Sequence, residues 1–117
     1  MKAAVLVNGV PASGKSTVAK ALAGATGWPL LALDTIKEVL FTHLGTGDRV
    51  YNRLLGRASY DAIFAAIGDC PYGMTVIVDA WFGFQPVEVL HANLARANIT
   101  NVAELWCHAP PAVIGAR

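Results

Sequence analysis

The stretch LVNGVPASGKST, residues 6–17, passes from an apolar run through a glycine-bracketed loop into a helix-forming sequence. Its loop, Gly9-Val10-Pro11-Ala12-Ser13-Gly14-Lys15-Ser16, matches G-x-x-x-x-G-K-[ST] in full. Glycines at both ends let backbone N–H groups turn inward around a phosphate, and the helix behind the loop presents its positive end to the anion. Lys15 has the reach for the β- and γ-phosphates, and the Ser16 hydroxyl is the expected protein ligand of Mg²⁺. The expected binding set is Gly9, Pro11, Ala12, Ser13, Gly14, Lys15, Ser16 and Thr17. Strand, loop and helix in this order point to a bound nucleoside triphosphate. They leave open whether its terminal phosphate goes to water, to a small molecule or nowhere.

Outward from the loop, strand and helix signals alternate. Residues 3–7 form an unbroken apolar run, as in a strand buried on both faces of a parallel sheet. Residues 15–25 place Val18, Leu22 and Ala25 on one helical stripe, with Gly27 as the stop. A second buried strand spans 30–33 and ends at Asp34, followed by a helix over 35–44 that Gly45-Thr46-Gly47 breaks. Asp48 has the chemistry of an N-cap for a longer helix to about residue 67, interrupted or bent near Gly56. The third strand, 74–78, is closed by Asp79; Pro86 opens a helix to about residue 97, and a fourth strand is expected at 103–107. This alternation predicts an α/β, three-layer architecture: a parallel sheet of about four strands with helices on both faces, in a single domain over 1–117.

Composition limits the function classes. With 55% hydrophobic and 15% charged residues the chain has the makings of a packed core rather than a disordered segment. A formal net charge of +1 argues against broad binding to nucleic acid or anionic membrane, while leaving room for a local basic patch. Cys70 and Cys107 form no C-x-x-C pair, and reduced thiols are the default. The start, MKAAVLV, pairs a lysine with apolar residues, but the run ends at Asn8-Gly9, too short for a signal core, and no apolar stretch is long enough for a membrane span. A cytoplasmic location is the expectation. No L-S-G-G-Q-like or N-K-x-D segment follows the loop, which disfavours a transporter ATPase or a Ras-like GTPase.

Ligands of such sheets bind at the carboxyl ends of the strands, where the loop, Asp34, Asp79 and His108 are expected to converge. Asp34 either caps the helix that follows or orients and deprotonates an acceptor hydroxyl. Asp79, after Thr75-Val76-Ile77-Val78, has the context of a Walker B aspartate that holds Mg²⁺, or is a polar strand end. Arg49, Arg53 and Arg57, four apart, share a helical face that is either solvated or an anion clamp. Trp81, Phe82 and Phe84 either line an acceptor pocket or cover the core. His43, His91 and His108 lack metal-ligand spacing.

The pattern GVPASGKST, LALD, VIVDAWF and WCHAPPAVIGAR resembles the small P-loop kinases grouped with zeta toxins and chloramphenicol phosphotransferase, over nearly all of the 117 residues. The resemblance implies Mg²⁺-dependent transfer of the γ-phosphoryl group from ATP to a hydroxyl of a small-molecule acceptor. It implies that Lys15 and Ser16 serve phosphate and metal, that Asp34 orients the acceptor or acts as base, that Asp79 serves the metal, and that Arg117 opens a lid over the phosphates. It also implies a helical lid, a fifth strand and an adenine loop beyond Arg117, so the expectation is a C-terminally incomplete domain whose sheet edge takes that segment or a second copy. A nucleotide-binding regulatory module and an NTPase acting on water are the competing expectations.

Overall fold

The computed structural model describes residues 1–10 and 13–108. Strands β1 (Lys2–Asn8), β2 (Leu30–Ala32), β3 (Thr75–Asp79) and β4 (Ile99–Trp106) form one sheet in the order β2-β3-β1-β4, with every pairing parallel. Helices α1 (Lys15–Thr26), α2 (Leu33–Leu44), α3 (Arg49–Gly68) and α4 (Val87–Arg96) link them. The expected α/β architecture is what the chain adopts. No helix among the described residues is long and apolar enough to cross a membrane.

Alternate residues of the two central strands serve opposite faces, as the pleat requires. Ala4 and Leu6 of β1 and Val76 and Val78 of β3 pack with Tyr60, Ile63, Phe64 and Ile67 of α3. Val7 and Ile77 turn the other way, onto Ala19 of α1, with Val5 and Leu22 beside them. Coverage on both faces is why these strands read as continuous apolar runs. Register aligns their carboxyl ends: Val7 and Ala32 both lie opposite Asp79, and Asn8 lies opposite Trp106. From β1 the chain crosses past β3 to reach β2 at the far edge, while β4 takes the other side of β1. That crossover opens the crevice in which the phosphate loop sits.

Three boundaries differ from expectation. The fourth strand begins at Ile99, not 103. It pairs on one side among the described residues and is exposed from Thr100 to Trp106, so it needs no apolar run. Asn98, with φ 60°, makes the left-handed turn that starts it directly after α4; asparagine tolerates that conformation better than most residues. The second strand ends at Ala32 and α2 begins at Leu33, so Asp34 lies in the first helical turn instead of closing the strand. Lastly, α3 runs through Gly56 as one helix of 20 residues. Its N-cap is as expected: the Asp48 carboxylate accepts the Tyr51 backbone N–H at 2.9 Å.

Candidate functional site

Gly9 and Gly14 shape the loop for different reasons. A Cβ on Gly9 would lie 2.6 Å from Ser13 Oγ and 2.9 Å from the Cys107 carbonyl oxygen, so the loop closes only over a residue without a side chain. Gly14 takes φ +83° at the N-terminal boundary of α1, a left-handed conformation that glycine adopts without steric cost. Between them the Ser13 N–H donates to the Val10 carbonyl at 3.2 Å. The Ser13 hydroxyl is buried, has no hydrogen-bond partner among the described residues and lines the cleft. An unpaired buried donor costs about 1–3 kcal/mol, which an anion in the loop would recover.

Behind the loop, Lys15, Ser16 and Asp79 form a compact cluster. The Ser16 hydroxyl donates to Asp79 Oδ2 at 3.1 Å, and Lys15 Nζ lies 3.2 Å from Asp79 Oδ1. The lysine contact is an ion pair without hydrogen-bond geometry, so buried Asp79 Oδ1 keeps its accepting capacity. Two hard oxygen donors beside a carboxylate oxygen with spare capacity suit a divalent cation such as Mg²⁺. Asp79 owes its place to β3, whose pairing with both β1 and β2 fixes it in the middle of the sheet edge.

A cleft of about 850 Å³ connects this cluster with Asp34 and the α2–α3 side of the molecule. Gly14, Lys15, Ser16, Thr17 and Asp34 all line it, as do Arg49, Arg53, Trp81 and Phe84. Asp34 is not the helix cap: Ala32 holds that position and makes no side-chain cap bond. Its carboxylate, exposed in the first turn, still gains from the helix dipole. Arg57 does not line the cleft, and Phe82 is buried in the core, its ring edge-on to Tyr60 at 5.9 Å. His108 is exposed beside the Trp106 ring at 5.7 Å, away from the cleft, and His43 and His91 are exposed on helices. Pro11, Ala12 and Arg117 lie outside the described residues.

Lys37, which lines the cleft, and Asn8, which braces the loop from behind it, are among the residues the sequence argument did not single out. Lys37 lines the cleft three positions after Asp34, a helical spacing that puts both on one face and was the available signal. Asn8 had no such signal beyond its place before Gly9. Its Oδ1 accepts the backbone N–H groups of Gly9 at 2.8 Å and Phe82 at 3.0 Å, and its Nδ2 donates to Glu104 Oε2 at 3.3 Å.

With this geometry in view, the family match is decisive: the AAA domain family AAA_33 matches residues 5–117. The chain belongs to this family. AAA_33 is a P-loop NTPase family, and its fold carries nucleotide binding. Among solved structures, the AAA_33 chain is similar to a protein of Chloroflexus aurantiacus J-10-fl provisionally assigned as a kinase. That match has 31% identity and a TM-score of 0.75, covering 91% of this chain and 59% of the other. A sugar kinase of Janibacter sp. HTCC2649 has 20% identity and a TM-score of 0.58, with 98% and 64% covered. The YorR protein of Bacillus subtilis, solved with phosphorylated GDP, has 18% identity and a TM-score of 0.53, also with 98% and 64% covered. At those identities the last two bear on the fold alone. The chain therefore spans about six-tenths of the length of these structures. No curated protein matches it. The expected P-loop, kinase-like fold is borne out.

Proposed function

We propose that this chain carries the catalytic core of an ATP- and Mg²⁺-dependent phosphotransferase acting on a hydroxyl of a small molecule. The observation that carries the reading is one continuous cleft, about 850 Å³, that holds the phosphate loop and Asp34 and then extends between α2 and α3. A site for hydrolysis alone needs no such second chamber, whereas group transfer between two substrates does. Pockets of this size accept small organic ligands.

Each residue has a definable task. The loop's backbone N–H groups and Lys15 hold the phosphates, with Lys15 drawing charge from the γ-phosphoryl group. Ser16 and Asp79 would hold Mg²⁺, which when bound offsets the negative charge that triphosphate brings into the cleft. Asp34 accepts the acceptor hydroxyl's proton. The hydroxyl oxygen bonds to the γ-phosphorus, the bond to the β–γ bridging oxygen breaks, and the nucleoside diphosphate leaves with that electron pair. Trp81 and Phe84 give the acceptor an apolar wall.

The test is phosphoryl transfer from ATP to a panel of hydroxyl-bearing metabolites, alongside nucleotide affinity. Because the Bacillus subtilis neighbour was solved with phosphorylated GDP, GTP belongs in the same assay. Asp34→Asn is expected to lower turnover about 10²- to 10⁴-fold while leaving nucleotide affinity unchanged. Equal loss of both would remove Asp34 from the proposed role. Nucleotide binding with no acceptor phosphorylated would favour the regulatory module, and diphosphate release without acceptor would favour hydrolysis.

A further inference from the structure

At its far end, between α2 and α3, the cleft has an excess of positive charge. Lys37, Arg49 and Arg53 line this region, whereas the carboxylates that line the cleft are Asp34 and Asp79, the latter engaged by Lys15; Glu38 and Asp48, next to Lys37 and Arg49 in sequence, do not line it. Among the described residues, none of the three cations has a carboxylate oxygen within 4.0 Å. Like charges collected on one wall without counter-ions repel one another, and an anion between them removes that cost.

Their placement follows from local structure. Arg49 and Arg53 are one turn apart on α3 and share a face. Arg57, the next in the series, faces away from the cleft, and Gly56 lines it instead. A Cβ at Gly56 would sit 4.0 Å from Lys37 Cδ, so the lysine stem crosses α3 where that helix has no side chain. The turn feeding Arg49 is also fixed. Asn52 accepts the Gly47 N–H at 2.9 Å and donates to the Gly47 carbonyl at 3.1 Å, while the Tyr51 hydroxyl donates to the Leu44 carbonyl at 3.1 Å. Two guanidinium groups on one face, with an ammonium contributed by the facing helix, match the oxygens of a phosphate or carboxylate, which arginine binds through paired N–H groups.

We infer that the acceptor of this cleft carries an anionic group, a phosphate monoester or a carboxylate, held by Arg49, Arg53 and Lys37 while its hydroxyl lies toward Asp34. The inference rests on the phosphotransferase reading for the word acceptor; the anion site is testable without it.

Glycerol 3-phosphate, D-glycerate and glycerol are titrated into the full chain, with the phosphate loop saturated by AMP-PNP and Mg²⁺. Binding is followed at the arginine Nε–Hε NMR signals, assigned with Arg49→Gln and Arg53→Gln. At least one of the two anions saturably shifts the Arg49 and Arg53 signals, glycerol shifts neither, and the tighter anion names the class. Arg53→Gln weakens that anion roughly tenfold or more and leaves AMP-PNP affinity within about twofold. Linear, non-saturating shifts shared by Arg57 would mean a solvated face and overturn the site. Loss of AMP-PNP affinity in Arg53→Gln would assign the arginines to the nucleotide and overturn it equally. Failure of the nucleotide reading looks different: AMP-PNP does not bind at all. The anion titration on Lys15→Ala protein then decides the site by saturation at Arg49 and Arg53 or its absence.

Discussion

Asn8 holds three segments together with one side chain. Its amide oxygen takes the backbone N–H of Gly9, where the phosphate loop begins, and that of Phe82, in the turn after β3. Its amide nitrogen reaches Glu104 on β4. With Asn8 4% exposed, water cannot readily replace these bonds. Asn8→Ala leaves two buried N–H groups unpaired and is expected to cost about 2–3 kcal/mol, read as a lower urea midpoint at unchanged slope. Because the loop and the Trp81–Phe84 wall are both tied to this amide, nucleotide affinity should fall as well. Unchanged stability would show that solvent satisfies both donors. An asparagine before a glycine signals a turn in sequence; that it also accepts from a residue 74 positions away is a tertiary fact.

At the scale of elements, helix ends decide how the layers meet. Lys2 belongs to β1 and is only 1% exposed, yet it carries a charge. Its ammonium donates to the carbonyls of Ile67 at 2.8 Å, Gly68 at 3.4 Å and Ala97 at 2.9 Å, thereby joining the C-terminal ends of α3 and α4. Helix C-termini carry partial negative charge and unpaired carbonyls, so a cation there satisfies both. Read in sequence, Lys2 resembles the charged start of an export signal; in the fold it fastens two helices beneath the sheet. Lys2→Met fills similar space without donors and is expected to destabilise the chain by about 2–4 kcal/mol. Chemical denaturation measures this, and a loss under about 0.5 kcal/mol would show the carbonyls are hydrated. At its other end α3 starts from the fixed turn at Gly47 and Asp48, which sets the faces that Arg49 and Arg53 present to the cleft.

Over the whole molecule, Tyr60 connects core to cleft. Its ring lies 5.3 Å from Phe64, 5.9 Å from Phe82 and 5.4 Å from Phe84, and Phe84 lines the cleft. Burial, with the charge of Asp61 adding to it, pushes the Tyr60 phenol well above its usual value of 10.0. A raised phenol favours the protonated fold, so its contribution is fully present below about pH 10 and lost as pH rises beyond that, where the unfolded chain ionises first. Tyr60→Phe keeps the ring contacts and removes the titration; its denaturation midpoint should fall less steeply above about pH 10 than the parent's, and equal slopes would reject the assignment. The same packing explains what could be read in advance. The phosphate loop, the two central buried strands and the helix after Asp48 were legible because each rests on a local rule: glycine conformation, two-sided burial or a cap. The β4 start was not, since an exposed edge strand carries no apolar pattern. Nor could sequence choose between Arg53 and Arg57, or between Phe84 and Phe82, for a place in the cleft. Those choices depend on how α2, α3 and the turn after β3 pack on the sheet, because a side chain's face is set by its element's orientation and not by its neighbours in the chain. By itself, then, the sequence determined an α/β chain with a phosphate-loop motif and carboxylates expected beside that loop. Only the tertiary structure decided that Lys37, Arg49 and Arg53 would meet at the other end of the same cleft, by laying two helices side by side with a glycine between their charges.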